Sequence, residues 1–244
     1  MRRIVFVIIF LLCFSAVLYA GIYDDKQYVT ASDNRHNLSI YSTLSVKATN
    51  EKQICIFCHT PHNAMSDAPL WNHELTTAMP TYTYYWTATM NAYSSPASAP
   101  EVNGYSKLCL SCHDGTVALG AVRSRVTTYG EGTTKITMNV VSGVVDASGK
   151  LIGGPGYVGT DLSGNHPISF EYNAALAAAD GFLNWPVVDT DVKLYPTVSG
   201  KYGVQCTSCH DPHNDAKAND PGYPGLSFWR KVTYEEVCDV CHSI

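Results

Sequence analysis

The chain has 244 residues, with 16 lysines and arginines against 21 aspartates and glutamates, a formal charge of −5 and a charged fraction of only 15%. A nucleic-acid partner would call for the opposite sign. Tyrosine is abundant at 16, and a surface poor in charge and rich in tyrosine suits contact with other proteins.

The N-terminus reads Met1-Arg2-Arg3, then an apolar run from Ile4 to about Val17, then Leu18-Tyr19-Ala20. A basic start, a short greasy centre and a small residue at the end predict a secretory signal peptide over residues 1–20, cut after Ala20. The run is short for a membrane anchor, which needs roughly 20 apolar residues. Cys13 lies inside it, and bulky Leu12 before it argues against a lipoprotein. Losing Arg2 and Arg3 makes the charge two units more negative. Residues 21–244 hold no second long apolar stretch, so a single secreted, extracellular unit with no membrane span is expected.

His36 comes first, in Arg35-His36-Asn37-Leu38-Ser39, where Asn37 to Ser39 also has the form of a glycosylation sequon. The pentapeptide Cys-x-x-Cys-His then appears at Cys55, Cys58 and His59, and recurs at Cys109, Cys112 and His113, at Cys206, Cys209 and His210, and at Cys238, Cys241 and His242. This is the attachment pattern of c-type haem. Two thiols add across the porphyrin vinyl groups, and the adjacent imidazole binds the iron. Four copies imply four covalently held c-type haems. A zinc ribbon would pair two Cys-x-x-Cys units at short regular spacing with no reason for a histidine after each. A redox dithiol needs one copy. Eight of the nine cysteines are used in this way, which leaves none for a structural disulfide once Cys13 is removed.

Proline and glycine are scattered along the chain, so long helices are not expected. A glycine-rich segment at about 126–164 carries alternating apolar residues around Ser142-Gly143 and Ser148-Gly149, which predicts one or two small β-hairpins. Asn173 to Ala179 is an alanine-rich helix candidate. Each Cys-x-x-Cys-His motif should occupy one or two helical turns, and the remainder should be irregular. The expected fold class is a multihaem cytochrome c, with the haems as core and the polypeptide as wrapping. A chain this irregular would otherwise bury too little apolar surface, and the apoprotein should be unfolded.

Nine histidines are present. His59, His113, His210 and His242 are the motif ligands. His36, His62, His73, His166 and His213 remain, enough to close the second face of four irons. His62 and His213 are the strongest distal candidates. They close a recurring frame, Cys-Ile-Phe-Cys-His-Thr-Pro-His-Asn and Cys-Thr-Ser-Cys-His-Asp-Pro-His-Asn. Each lies three residues from a motif histidine, too near to reach around the same porphyrin, so each should serve a different iron and draw two haems together. His166, in the turn Gly164-Asn165-His166-Pro167, and His36 are the other two distal candidates. His73, beside Leu70 and Trp71, is the expected spare.

These frames, with Pro-Leu-Trp-Asn at 69–72, Leu-Cys-Leu-Ser-Cys-His-Asp-Gly at 108–115 and Asn-His-Pro-Ile-Ser-Phe at 165–170, resemble the OmcE-like tetrahaem c-type cytochromes of extracellular filaments, or nanowires. The resemblance spans nearly all of residues 21–244. It implies haems with two histidine ligands each, in alternating stacked and T-shaped pairs. It also implies head-to-tail self-assembly in which one histidine ligates a haem of the adjacent subunit. By that resemblance His62, or alternatively His36, crosses the boundary.

The expected function is extracellular electron transfer, as a filament subunit exchanging electrons with other redox proteins or extracellular acceptors, and not as an enzyme. A discrete soluble periplasmic or secreted multihaem electron carrier shares every haem feature and differs only in assembly. A multihaem reductase would need an iron with an open face.

Overall fold

A computed structural model describes residues 28–65, 68, 70–75, 80–125, 135–215 and 228–243. The signal segment 1–20 and residues 126–134 of the glycine-rich stretch lie outside the described residues.

Regular structure is sparse, and the longest described helix has ten residues. A 3-10 turn at Cys55–Phe57 carries the first motif. Helix α1, Gly104–His113, carries the second and buries Ser106, Leu108, Leu110 and Ser111. Helix α2, Ala174–Asp180, is the alanine-rich segment. The Asn173 side chain accepts the Leu176 N–H, a cap suited to asparagine. The helix stops at Gly181, whose φ of 80° is the left-handed conformation that glycine adopts freely. Helix α3, Cys206–Cys209, carries the third motif. Helix α4, Tyr234–Cys238, leads into the fourth. Its start is a reciprocal cap, with the Thr233 hydroxyl accepting the Glu236 N–H and the Glu236 carboxylate accepting the Thr233 N–H.

Two short pairings brace this path. Strand β1, Thr83–Tyr84, runs parallel to β2, Asp161–Leu162. Strand β3, Tyr195–Pro196, is antiparallel to β4, Tyr202–Gly203. Residues 135–151 make single bridges in place of a full ladder. Val141 pairs Val145, and Val145 pairs Leu151, so the hairpin pattern there is reduced to its turns.

Buried apolar side chains form three clusters among the described residues. One gathers Ala48, Ile56, Phe57, Leu119, Val122, Ile136, Met138, Val145 and Leu151 beneath the first two motifs. A second holds Tyr82, Val102, Leu110 and Leu162, and a third holds Phe170, Tyr172 and Val204. No described helix is long and apolar enough to cross a membrane.

Candidate functional site

The four motifs share one local construction. The histidine N–H donates to the carbonyl of the first cysteine in three of them: His59 to Cys55 at 2.8 Å, His210 to Cys206 at 3.0 Å and His242 to Cys238 at 2.9 Å. His113 ends α1, one turn beyond Cys109. A single helical turn sets the two cysteines on one side and aims the imidazole beside them. All eight motif cysteines are free thiols. Burial pushes Cys58, Cys112 and Cys209 up to about 12 and Cys241 to about 11. Such thiols stay protonated and unreactive toward solvent.

Each turn is then pinned by distant backbone. Around the first motif, Asn72 N–H donates to the Cys58 carbonyl and Thr60 N–H to that of Leu70. The fully buried Asn72 amide donates to Ile56 and Ser124 carbonyls. Leu70 has a φ of 65°, a left-handed conformation that costs a bulky residue about 1–2 kcal/mol and that here turns its carbonyl onto the His59 ring. Strain of this kind collects where geometry serves a site. A cavity of about 370 Å³ opens beside Cys55 and His59, lined also by Ile56, Pro61 and Leu70. Around the third motif, Arg230 donates through its N–H to the Cys209 carbonyl and through Nε to that of Thr207. Around the fourth, Asn184 N–H and the Tyr172 hydroxyl both donate to the Cys241 carbonyl.

The imidazoles meet in twos. His36 faces His113 with ring centres 6.0 Å apart. His59 faces His213 at 6.0 Å, and His166 faces His242 at 6.2 Å. Each pair joins one motif histidine to one from outside that motif. Two imidazoles bound to opposite faces of one metal, each through a bond of about 2 Å, hold their ring centres roughly 6 Å apart. The planes are nearly parallel in the His59–His213 pair, at 14°, and steeply crossed in the others, at 69° and 78°.

In three of these rings Nδ1 is spent on the backbone, and Nδ1 of His213 lies 3.4 Å from the Asp211 carboxylate. Nδ1 of His36 lies 2.9 Å from the Pro212 carbonyl oxygen, Nδ1 of His166 2.8 Å from that of Pro167, and Nδ1 of His113 is close to that of Gly156. With Nδ1–H donating outward, the neutral ring presents its Nε2 lone pair inward, the arrangement of a metal-bound histidine. Burial holds the proton affinities down as well. His36 falls to about 4, through burial first and its His113 neighbour second, and His59, His113 and His166 are lowered chiefly by burial. Neutral imidazole is the form that binds a metal.

His73 is built differently. It is fully buried, and both ring nitrogens are turned to carbonyl oxygens, Nδ1 at 2.8 Å from Glu74 and Nε2 at 3.1 Å from Ala118. No ring nitrogen is left for a metal. His62 is exposed, and its ring meets no other imidazole among the described residues. His210 packs against Trp229 with ring centres 4.5 Å apart.

Several contributors carry no sequence signal. Phe228 stacks on His36 at 4.2 Å and 20°, although neither composition nor spacing marks it. The Tyr82 hydroxyl donates to Asp114, the residue after His113. Asn37 of the sequon is 1% exposed, with its amide donating to the Ala31 carbonyl and its oxygen accepting the Ser39 hydroxyl, which closes it to modification in the folded chain.

No protein-family model matches this sequence, and no curated protein matches it.

Proposed function

We propose that this chain is a secreted electron-transfer protein that holds four c-type haems through its Cys-x-x-Cys-His motifs. The observation that carries the reading is the set of three imidazole pairs at 6.0, 6.0 and 6.2 Å, each with one motif histidine. Cys55 and Cys58, Cys109 and Cys112, Cys206 and Cys209, and Cys238 and Cys241 would carry the thioether bonds. His113 with His36, His59 with His213, and His242 with His166 would bind iron from its two faces. Bound haem supplies reversible one-electron exchange between ferric and ferrous iron.

The residues of the chain do the rest. Paired imidazoles would close both faces of a bound iron to a substrate, which argues for electron transfer over catalysis. Carbonyls of Pro212, Gly156 and Pro167 hold the rings in one tautomer and orientation. His210 and His213, three residues apart, belong to different sites and bring those sites side by side, so electrons have short steps between centres.

The assembly we favour is a head-to-tail filament. Three pairs take six histidines, and His73 has both nitrogens engaged. His62 is exposed and stands outside these pairs, which suits the service to a second copy that the resemblance implies. A contact that does not close into a ring builds an open fibre.

The test is the holoprotein exported with its haems. Mass spectrometry should find four haems, electron paramagnetic resonance only low-spin iron, and negative-stain microscopy uniform fibres. His62→Ala should give discrete particles and one high-spin centre. A wild-type chain without haem, or with an iron open to water, would overturn the electron-transfer reading. Discrete wild-type particles at every concentration would overturn the filament and leave a soluble carrier.

A further inference from the structure

The starts of α1 and α3, which carry the second and third motifs, cap each other. Backbone N–H groups in the first turn of a helix have no partner within it. The Asn103 side chain before α1 makes no cap bond of its own. The Ser106 N–H instead donates to Oε1 of Gln205 at 2.9 Å, and the Cys206 N–H at the head of α3 donates to the Ser106 hydroxyl at 3.0 Å. Nε2 of Gln205 donates to Oδ1 of Asn103, and the Gln205 N–H donates to the Ser208 hydroxyl. Gln205 and Ser106 are both 0% exposed. In such a dry place a satisfied network is rigid, and a broken one leaves costly orphan groups.

Gly104 makes the approach possible. Its φ is +52°, and a Cβ there would lie 2.6 Å from the Pro196 carbonyl oxygen and 3.2 Å from the Gln205 side chain. Cys109 lies one turn after Ser106 on the same face of α1. The Cys206 N–H on the Ser106 hydroxyl therefore sets the head of the third motif against the turn that leads into the second.

We infer that Gln205 and Ser106 are positioning residues that clamp the second and third haem-attachment turns together and fix the approach of those two centres. The inference rests on the haem reading above. Porphyrins carried on these two turns would be held near each other, and the clamp would set that spacing.

The experiment is circular dichroism across the Soret band of the intact holoprotein, with haem counted by mass in every sample. Wild type should show a bisignate couplet from interacting porphyrins. Gln205→Leu and Ser106→Ala should each keep four low-spin haems and lose more than half of its amplitude. Their double variant should lose no more than Gln205→Leu alone, because the two act as one unit. Ile136→Val, a mild change in the apolar cluster beneath the first two motifs and outside the clamp, should leave the couplet intact. An unchanged couplet in Gln205→Leu, or equal loss in Ile136→Val, would overturn the clamp. If Gln205→Leu fails to load four haems, Ser106→Ala alone decides. A wild-type chain without haem would overturn the haem reading itself, and the haem count tells the two failures apart.

Discussion

Around the first two motifs, nine buried apolar residues from Ala48 to Leu151 pack into one cluster. A buried ion pair closes it, Arg125 to Glu51 at 2.7 Å with side chains 8% and 6% exposed. Around the last two motifs the buried apolar cluster among the described residues is Phe170, Tyr172 and Val204, with partly buried Leu176, Leu183 and Val187 against it. The ties there are polar, among them Asn184 and Tyr172 on the Cys241 carbonyl, and the ion pairs lie nearer the surface, Lys231–Asp189 with side chains 22% and 18% exposed and Lys201–Glu171 with side chains 57% and 35% exposed. Apolar burial stabilises by about 25 cal/mol per Å² wherever it occurs, whereas a typical hydrogen bond adds only about 1 kcal/mol net. Apolar packing carries most of the first region, and polar ties carry most of the second.

Removing attachment cysteines should separate the regions most sharply. Cys55→Ala with Cys58→Ala, and Cys238→Ala with Cys241→Ala, should each lower the haem count from four to three by mass. Amide exchange should then show the difference. The Asn184 and Ser243 amides lose protection when the fourth motif is broken, whereas those of Ala48 and Ile136 stay protected when the first is broken. Equal loss in both variants would erase the contrast.

Arg125→Met strands the Glu51 carboxylate inside the protein and should cost about 4 kcal/mol in denaturant unfolding. Ile136→Ala should cost about 3 kcal/mol by leaving a cavity, against about 1 kcal/mol for Tyr172→Phe, which loses hydrogen bonds to Asn184 and Cys241 carbonyls.

His73 should link the first region to pH. Burial lowers its proton affinity below the ordinary 6.5, outweighing the Glu74 and Ala118 carbonyls that raise it. The unfolded chain therefore takes the proton first as pH falls. Stability from this group is complete above pH 6.5 and declines below it, by at most about 1.4 kcal/mol per pH unit. His73→Gln should flatten that decline in urea titrations while keeping four low-spin haems. A high-spin centre in this variant would make His73 a ligand after all. The smallest effect belongs to Lys201→Met, which removes an exposed pair and should shift stability by less than about 0.5 kcal/mol.

Much of the local construction was legible before any coordinates. The Cys-x-x-Cys-His turns are sequence-local, because one helical turn decides which side the thiols and imidazole take. Helix α2 was equally readable from its alanine run, Asn173 to Ala179. The surplus of histidines was visible by counting. That His213 lies too near His210 to serve the same site followed from chain length alone.

Pairing was not legible. His36 meets His113, His213 meets His59, and His166 meets His242 across long stretches of chain, and no spacing rule joins residues so far apart. His73 and His166 look alike as letters. One has both nitrogens on carbonyls and the other only Nδ1, a distinction made by Ala118 arriving from elsewhere in the fold. Gln205 gave no sign of its role, since an amide becomes a clamp only where two helix starts are buried against each other. The sequence by itself determined the four turns, their donor atoms and the number of imidazoles. The tertiary structure alone decided which imidazole faces which, because local hydrogen bonds set the turns while long-range packing sets the partners.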